Sequence, residues 1–211
     1  EKVDWVGGKS ANLGEVLTRV HLPIPEGFAI TVRAFDAFFA HNDLVDEVNK
    51  RKMDLDPNDP NTMALVSEEI QRLIITAQVP AELEAAILSA YEELREKAGV
   101  NASDTSLKIS MRSSAIGEDA ELSHAGQYLS MLNVSADKLL RTYKFIVASL
   151  YTPRAISYRL AKGIREEDMV MSVACLRMVE SVASGIAYSR HPFNMLDDNI
   201  MISAVWGLGP Y

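Results

Sequence analysis

The side chains best suited to chemistry fall in two stretches far apart in the chain, Gly7-Gly8-Lys9-Ser10 and the run from Ile109 to Val134, ISMRSSAIGEDAELSHAGQYLSMLNV. In the longer one, the alternating residues Leu107 to Met111 predict a short strand that delivers Arg112 to its end. Ser113, Ser114, Gly117 and Gly126 then offer hydroxyls and exposed backbone amides in a polar loop, and Leu129 to Val134 carries the chain back into a sheet. A guanidinium followed by such groups can cradle a phosphate. An ordinary hairpin with a long solvated loop has the same composition. In the shorter stretch, paired glycines let backbone amides approach a ligand, and Lys9 can reach a phosphate as a point charge. It is not a Walker A loop, because Val3 stands where that pattern needs glycine and no strand precedes it. A helix start with a solvated lysine is the plainer reading.

Other reactive residue types lack a partner at a useful spacing. The 4 histidines, His21, His41, His124 and His191, show no metal-ligand spacing with another His, Cys or acid. Glu92, Glu93 and Glu96 read as a solvated helix face, and Arg154 and Arg159 as surface or ion-pair residues. A net charge of -8 argues against binding nucleic acid or an anionic membrane surface, since both require a basic face. The single Cys175 excludes an intramolecular disulfide and suits a reducing, cytoplasmic setting, and no apolar run is long enough to span a bilayer. No targeting leader is visible at Glu1, and the stop at Pro210-Tyr211, just after an apolar run, suits a piece trimmed from something longer.

The elements that must position these residues follow from periodicity. With 211 residues, 48% of them hydrophobic, the chain can bury a substantial core as one large domain or two small lobes. Gly7-Gly8 opens a helix with Leu13, Val16, Leu17 and Val20 on one face, and Pro23, Pro25 and Gly27 turn into a strand over 28–30. Thr31 then caps a helix bearing Phe35, Phe38 and Phe39. Residues 32–98 read as a mostly helical connector, interrupted by the Pro- and Asx-rich loop 54–61. Its apolar stripes are Met63, Val66, Ile70, Leu73 and Ile74, then Leu83, Ala86, Ile87, Ala90, Tyr91 and Leu94. Ser135 and Asp137 start a further helix that Pro153 breaks, and helix resumes over 154–162. Three strand-like runs, 169–179, 184–189 and 199–205, close the chain with turns that suit an antiparallel sheet. The pattern as a whole is α+β.

Six segments recur in a telling order: 6–15 (VGGKSANLGE), 24–31 (IPEGFAIT), 111–115 (MRSSA), 125–127 (AGQ), 154–159 (RAISYR) and 206–209 (WGLG). Together they resemble the nucleotide-binding domain of the phosphoenolpyruvate synthase (pyruvate, water dikinase) and pyruvate, phosphate dikinase family, over nearly the whole chain. The resemblance implies an ATP-grasp-like domain with a helix-rich N-terminal lobe and an antiparallel sheet. Residues 1–211 would be its N-terminal part, with the phosphate-loop and sheet region at about 105–211. It further implies Mg-ATP held through Lys9, Arg112, Gly126 and Ser130, with Arg112 clamping the transferring phosphate. Phosphate would pass to a histidine on another domain and on to pyruvate bound by a further domain of the same polypeptide. The family's metal-binding acid, and the glutamine and arginine after it, lie past Tyr211, so no Mg2+ ligand is expected here and this piece alone is expected to be inactive. Departures stand at Tyr128-Leu129, where the family has Gln-Glu, at Leu176 for glutamine, His124 for phenylalanine and Pro210 for glutamate. They leave open a dikinase acting on an antibiotic or a glucan, and a degenerate, non-catalytic relative serving in regulation or interaction.

Overall fold

The computed structural model describes residues 3–100, 107–115, 128–165, 169–194 and 196–209, and the chain divides into two units, Glu1–Met178 and Val179–Tyr211. In the larger unit, α1 (Val3–Glu15) is bent at Gly7, whose φ of 68° and ψ of 166° are not helical, so regular helix resumes at Gly8 and runs on into a π-helical turn at Val16–Val20. Strand β1 (Gly27–Ile30) leads into α2 (Val32–His41), α3 (Leu44–Lys52), α4 (Pro60–Thr76) and α5 (Ala81–Lys97). The loop predicted at 54–61 separates α3 from α4. Pro60 starts α4 because its missing N–H is no loss there, and the Asp59 carboxylate accepts from the Asn61 amide at 2.9 Å. After β2 (Ile109–Ala115) and β3 (Ser130–Val134) come α6 (Leu139–Ala148), α7 (Pro153–Lys162) and β4 (Met171–Arg177).

These four strands form one sheet in the order β1-β4-β2-β3, every neighbour antiparallel. Alternation along the strands gives it two unlike faces. One carries Phe28, Ile30, Met111, Val173 and Cys175 and packs into the core with the helices, where Phe38, Ile70, Ile74, Tyr143 and Ile146 are completely covered. Phe38 meets Tyr143 edge-on at 5.8 Å, and each such buried side chain contributes about 1.5–3 kcal/mol. The other face carries Gly27, Ala29, Ser110, Arg112, Ser114, Ser172, Ala174 and Leu176, mostly small or polar, and α1 packs across part of it.

The structure departs from the sequence-based expectations at several places: Thr31 precedes α2 but its hydroxyl makes no capping bond, and Leu17 and Val20, expected on an apolar helix face, are exposed. Strand β2 does not end before Arg112: Arg112, Ser113, Ser114 and Ala115 pair with Ala174, Val173, Ser172 and Met171, so the expected polar loop is strand through residue 115. Its serines, loop-like in composition, are buried between neighbouring strands. The three closing runs do not share a sheet, because β4 pairs with β1 and β2 while β5 (Ala183–Tyr188) and β6 (Met201–Trp206) pair only with each other. Ala86 is exposed while Ile87, Tyr91 and Leu94 of the same helix are buried. Arg159 is 1% exposed; its guanidinium donates to the Leu150 carbonyl and lies 5.5 Å from the Tyr151 ring, an internal clasp rather than a surface pair.

The smaller unit is a two-stranded ribbon. Ile202 is 71% and Trp206 85% exposed on it, with Ile186 and Tyr188 also open. Among the described residues no single helix is long and apolar enough to cross a membrane.

Candidate functional site

Arg112 sits mid-strand in β2, directly opposite Ser130 on β3 and Ala174 on β4, and Ala174 in turn faces Ala29 on β1. The row Ala29, Ala174, Arg112, Ser130 therefore crosses the whole sheet on its less apolar face, with one long side chain among small ones. Arg112 is exposed, and among the described residues its guanidinium has no hydrogen-bond or ion-pair partner. Such a group, fixed by strand pairing on both edges, is pre-positioned to clamp an oxyanion in a fork geometry.

The bend of α1 explains how Lys9 arrives beside it. A Cβ placed on Gly7 would lie 2.4 Å from Ser114 Oγ and 2.5 Å from the Ser114 carbonyl oxygen, so only glycine permits this approach to β2. Ser172 fastens the junction by donating to the Val6 carbonyl and sharing the Ser114 carbonyl at 3.0 Å. The Lys9 ammonium consequently comes within 3.5 Å of the Ser113 carbonyl oxygen, one residue from Arg112. The hydroxyls of Ser10 and Ser114 are buried with no hydrogen-bond partner among the described residues, a cost unless an acceptor reaches them. Two cations, unpartnered hydroxyls and a glycine-lined backbone suit a ligand rich in anionic oxygens.

Next to this cluster lies a cavity of about 660 Å3, walled by α1, β1, β4 and α5. Ser10 joins it to the cluster, and Ala174 and Leu176 form part of its wall; Leu13, Leu17, Ile24 and Phe28 make it mainly apolar. Its volume lies in the range of small-molecule pockets. An apolar hollow beside two cations fits a ligand with a flat apolar part and a polyanionic tail.

The structure thus brings Lys9, Arg112 and Ser130 into one region, whereas Gly126 and His124 lie outside the described residues. Leu176 contributes no hydrogen bond to the cavity it lines. Leu129 is 38% exposed, tied by its amide to Ser149 Oγ at 3.2 Å. Sequence reasoning missed the fastening role of Ser172 and the part of α5, where Ala90, Glu93 and Lys97 line the cavity although the helix reads as connector. Composition carries no signal for either, since both depend on which strands pair. Among the described residues no group of three His, Cys, Asp or Glu could hold a metal ion.

Comparison with known proteins adds an independent line. Residues 3–211 match the family model described as pyruvate phosphate dikinase, AMP/ATP-binding domain. The chain is 38% identical over 211 residues to a probable phosphoenolpyruvate synthase of Staphylothermus marinus, covering 99% of this chain and 25% of that protein. It is 35% identical over 214 residues to the phosphoenolpyruvate synthases of Neisseria meningitidis and of Escherichia coli, covering 98% of this chain and 26% of each. The chain spans about a quarter of the length of these relatives.

Proposed function

The chain belongs to the pyruvate phosphate dikinase AMP/ATP-binding domain family, and from that premise we propose that it holds ATP on the open face of its four-stranded sheet, for phosphoryl transfer within a phosphoenolpyruvate synthase-like polypeptide. The observation that carries this reading is the convergence of Lys9 and Arg112, 103 positions apart in sequence, beside an apolar cavity. The base takes the cavity; the phosphates take the cations.

In this reading Arg112 binds oxygens of the transferring phosphate through two parallel N–H donors, and its fixed strand position means little reorganisation is needed as charge moves. Lys9 neutralises a second oxygen, the Ser10 and Ser130 hydroxyls donate to others, and Gly126 permits a close backbone approach. Phosphoryl transfer depends mostly on positioning and charge neutralisation, and these groups supply a part of both, so the chain without the rest of its polypeptide is expected to bind nucleotide weakly or not at all. The acceptor, a histidine on another domain and then pyruvate, belongs to parts of the polypeptide beyond this chain, as do the magnesium ligands. An ATP-grasp arrangement and a cytoplasmic setting are parts of the same proposal. A dikinase with an antibiotic or glucan acceptor would use the same nucleotide site.

One observation favours a second reading. Leu176 lines the cavity with a side chain that cannot hydrogen-bond a base, as a non-catalytic nucleotide-sensing or interaction domain would tolerate. Calorimetric titration of ATP into the chain in its natural polypeptide tests the first. Binding is expected, weakened by about 1.5–3 kcal/mol in Arg112→Ala, the loss typical of a charged hydrogen bond. Unchanged affinity removes Arg112 from the site. Binding without any phosphohistidine formed from ATP labelled in its β phosphate selects the second reading.

A further inference from the structure

A second cavity, of about 540 Å3, opens in the larger unit among α2, α3, the turn at Tyr151 and the start of β4. It shares no described lining residue with the first. Three aromatic rings line it: Phe35 and Phe39, stacked with centroids 4.1 Å apart, and Tyr151. Val48 completes an apolar wall, and Asp36 is the one acid among the described lining residues.

Asp36 is exposed at this wall, yet it has no ion pair or hydrogen bond among the described residues. Partial burial raises its carboxyl above the ordinary aspartate range. A carboxylate at the rim of this aromatic wall, with no ion-pair partner among the described residues, is open to pair with a bound cation. An anion would be repelled, and a neutral apolar molecule would leave the carboxylate uncompensated. A cation on an apolar stem would satisfy both walls, its charge on Asp36 and over a ring face, its stem against Phe35, Phe39 and Val48. The chain's net charge of -8 also concentrates cations near its surface.

We propose that this cavity binds a small organic cation, an ammonium carried on an apolar stem, with Asp36 as its counter-charge. The site goes beyond the nucleotide reading and does not depend on it.

The probe is hexylammonium, titrated by calorimetry into the chain in its natural polypeptide, with hexanol and hexanoate as matched controls. Saturable binding of hexylammonium is expected, with hexanol at least about tenfold weaker and hexanoate silent, since charge-assisted and cation–π contacts both require the ammonium. Asp36→Asn should weaken hexylammonium by about tenfold while leaving hexanol unchanged. Val48→Phe, which fills the hollow, should abolish both. Each variant is checked for an unchanged melting transition, and because Asp36 is exposed its amide replacement should keep the fold. Equal affinity for hexanol and hexylammonium, or Asp36→Asn without effect, overturns the proposal.

Discussion

Gly7 shows how much a single residue decides. Its φ of 68° and ψ of 166° belong to a region open almost only to glycine, and a Cβ there would strike Ser114. Gly7→Ala should therefore cost about 1–3 kcal/mol from backbone strain, with the clash added, and push Lys9 away from β2. Gly14 has open space around its Cβ position and ordinary backbone, so Gly14→Ala should be neutral or stabilising by up to about 1 kcal/mol. Denaturant unfolding of both variants measures the contrast; equal effects would refute the steric account of the bend. The glycine pair and Lys9 are legible in the sequence, but the reason for the first glycine is not, because the atom it must avoid lies on Ser114, more than a hundred positions away. Arg112 stands out in the sequence as a phosphate ligand, while its neighbours across the sheet, Ser130 and Ala174, acquire meaning only from the strand register.

Elements divide by whether their cause is local. The helical character of α2 to α5 and the break at 54–61 are legible, since Pro57, Pro60 and the Asx residues act on their own backbone and apolar spacing marks the buried faces. The extension of β2 through Ser113-Ser114-Ala115 is not legible, because small polar residues favour loops unless distant strands claim their amides. Helix α3 offers a test at this scale. Hydrogen bonds from Lys50 at 2.7 Å and Arg51 at 2.8 Å hold the Glu47 carboxyl down at about 2, against an ordinary value of 4.5. A depressed carboxyl stabilises the fold above its unfolded value, and that contribution is lost as pH falls from about 4.5 through about 2. Glu47→Gln should thus melt lower than the parent at pH 7 in low salt, with the gap closing by pH 2 and shrinking in high salt. A gap independent of pH would exclude the ionic cause.

At the scale of the whole molecule, the two units differ in how they protect their backbones. Strands β2 and β4 have residues such as Met111, Val173 and Cys175 with essentially no exposure, whereas β5 and β6 pair only with each other and leave Ile202 and Trp206 open. A two-stranded ribbon is marginal by itself. Amide hydrogen exchange of the isolated chain should accordingly show β5–β6 amides exchanging at least about tenfold faster than those of β2–β4, consistent with local opening at lower free energy. Matching rates would mean that the ribbon is as cooperative as the sheet. The α+β class is readable from the order of periodic segments, but the division at residue 178 is not, because alternation is the same in a strand that joins a sheet and in one that pairs alone.

The interior position of β2 carries a further consequence, one of parity. Pairing with β4 runs unbroken from Ile109 to Ala115, whereas the β3 edge already shifts register between Ile109 and Met111; along the β4 edge a chain-length change of one residue just before Arg112 would turn the guanidinium inward and present a neighbour to the ligand, while a change of two would restore its heading. Insertions and deletions in this strand are thus counted by evenness rather than by size.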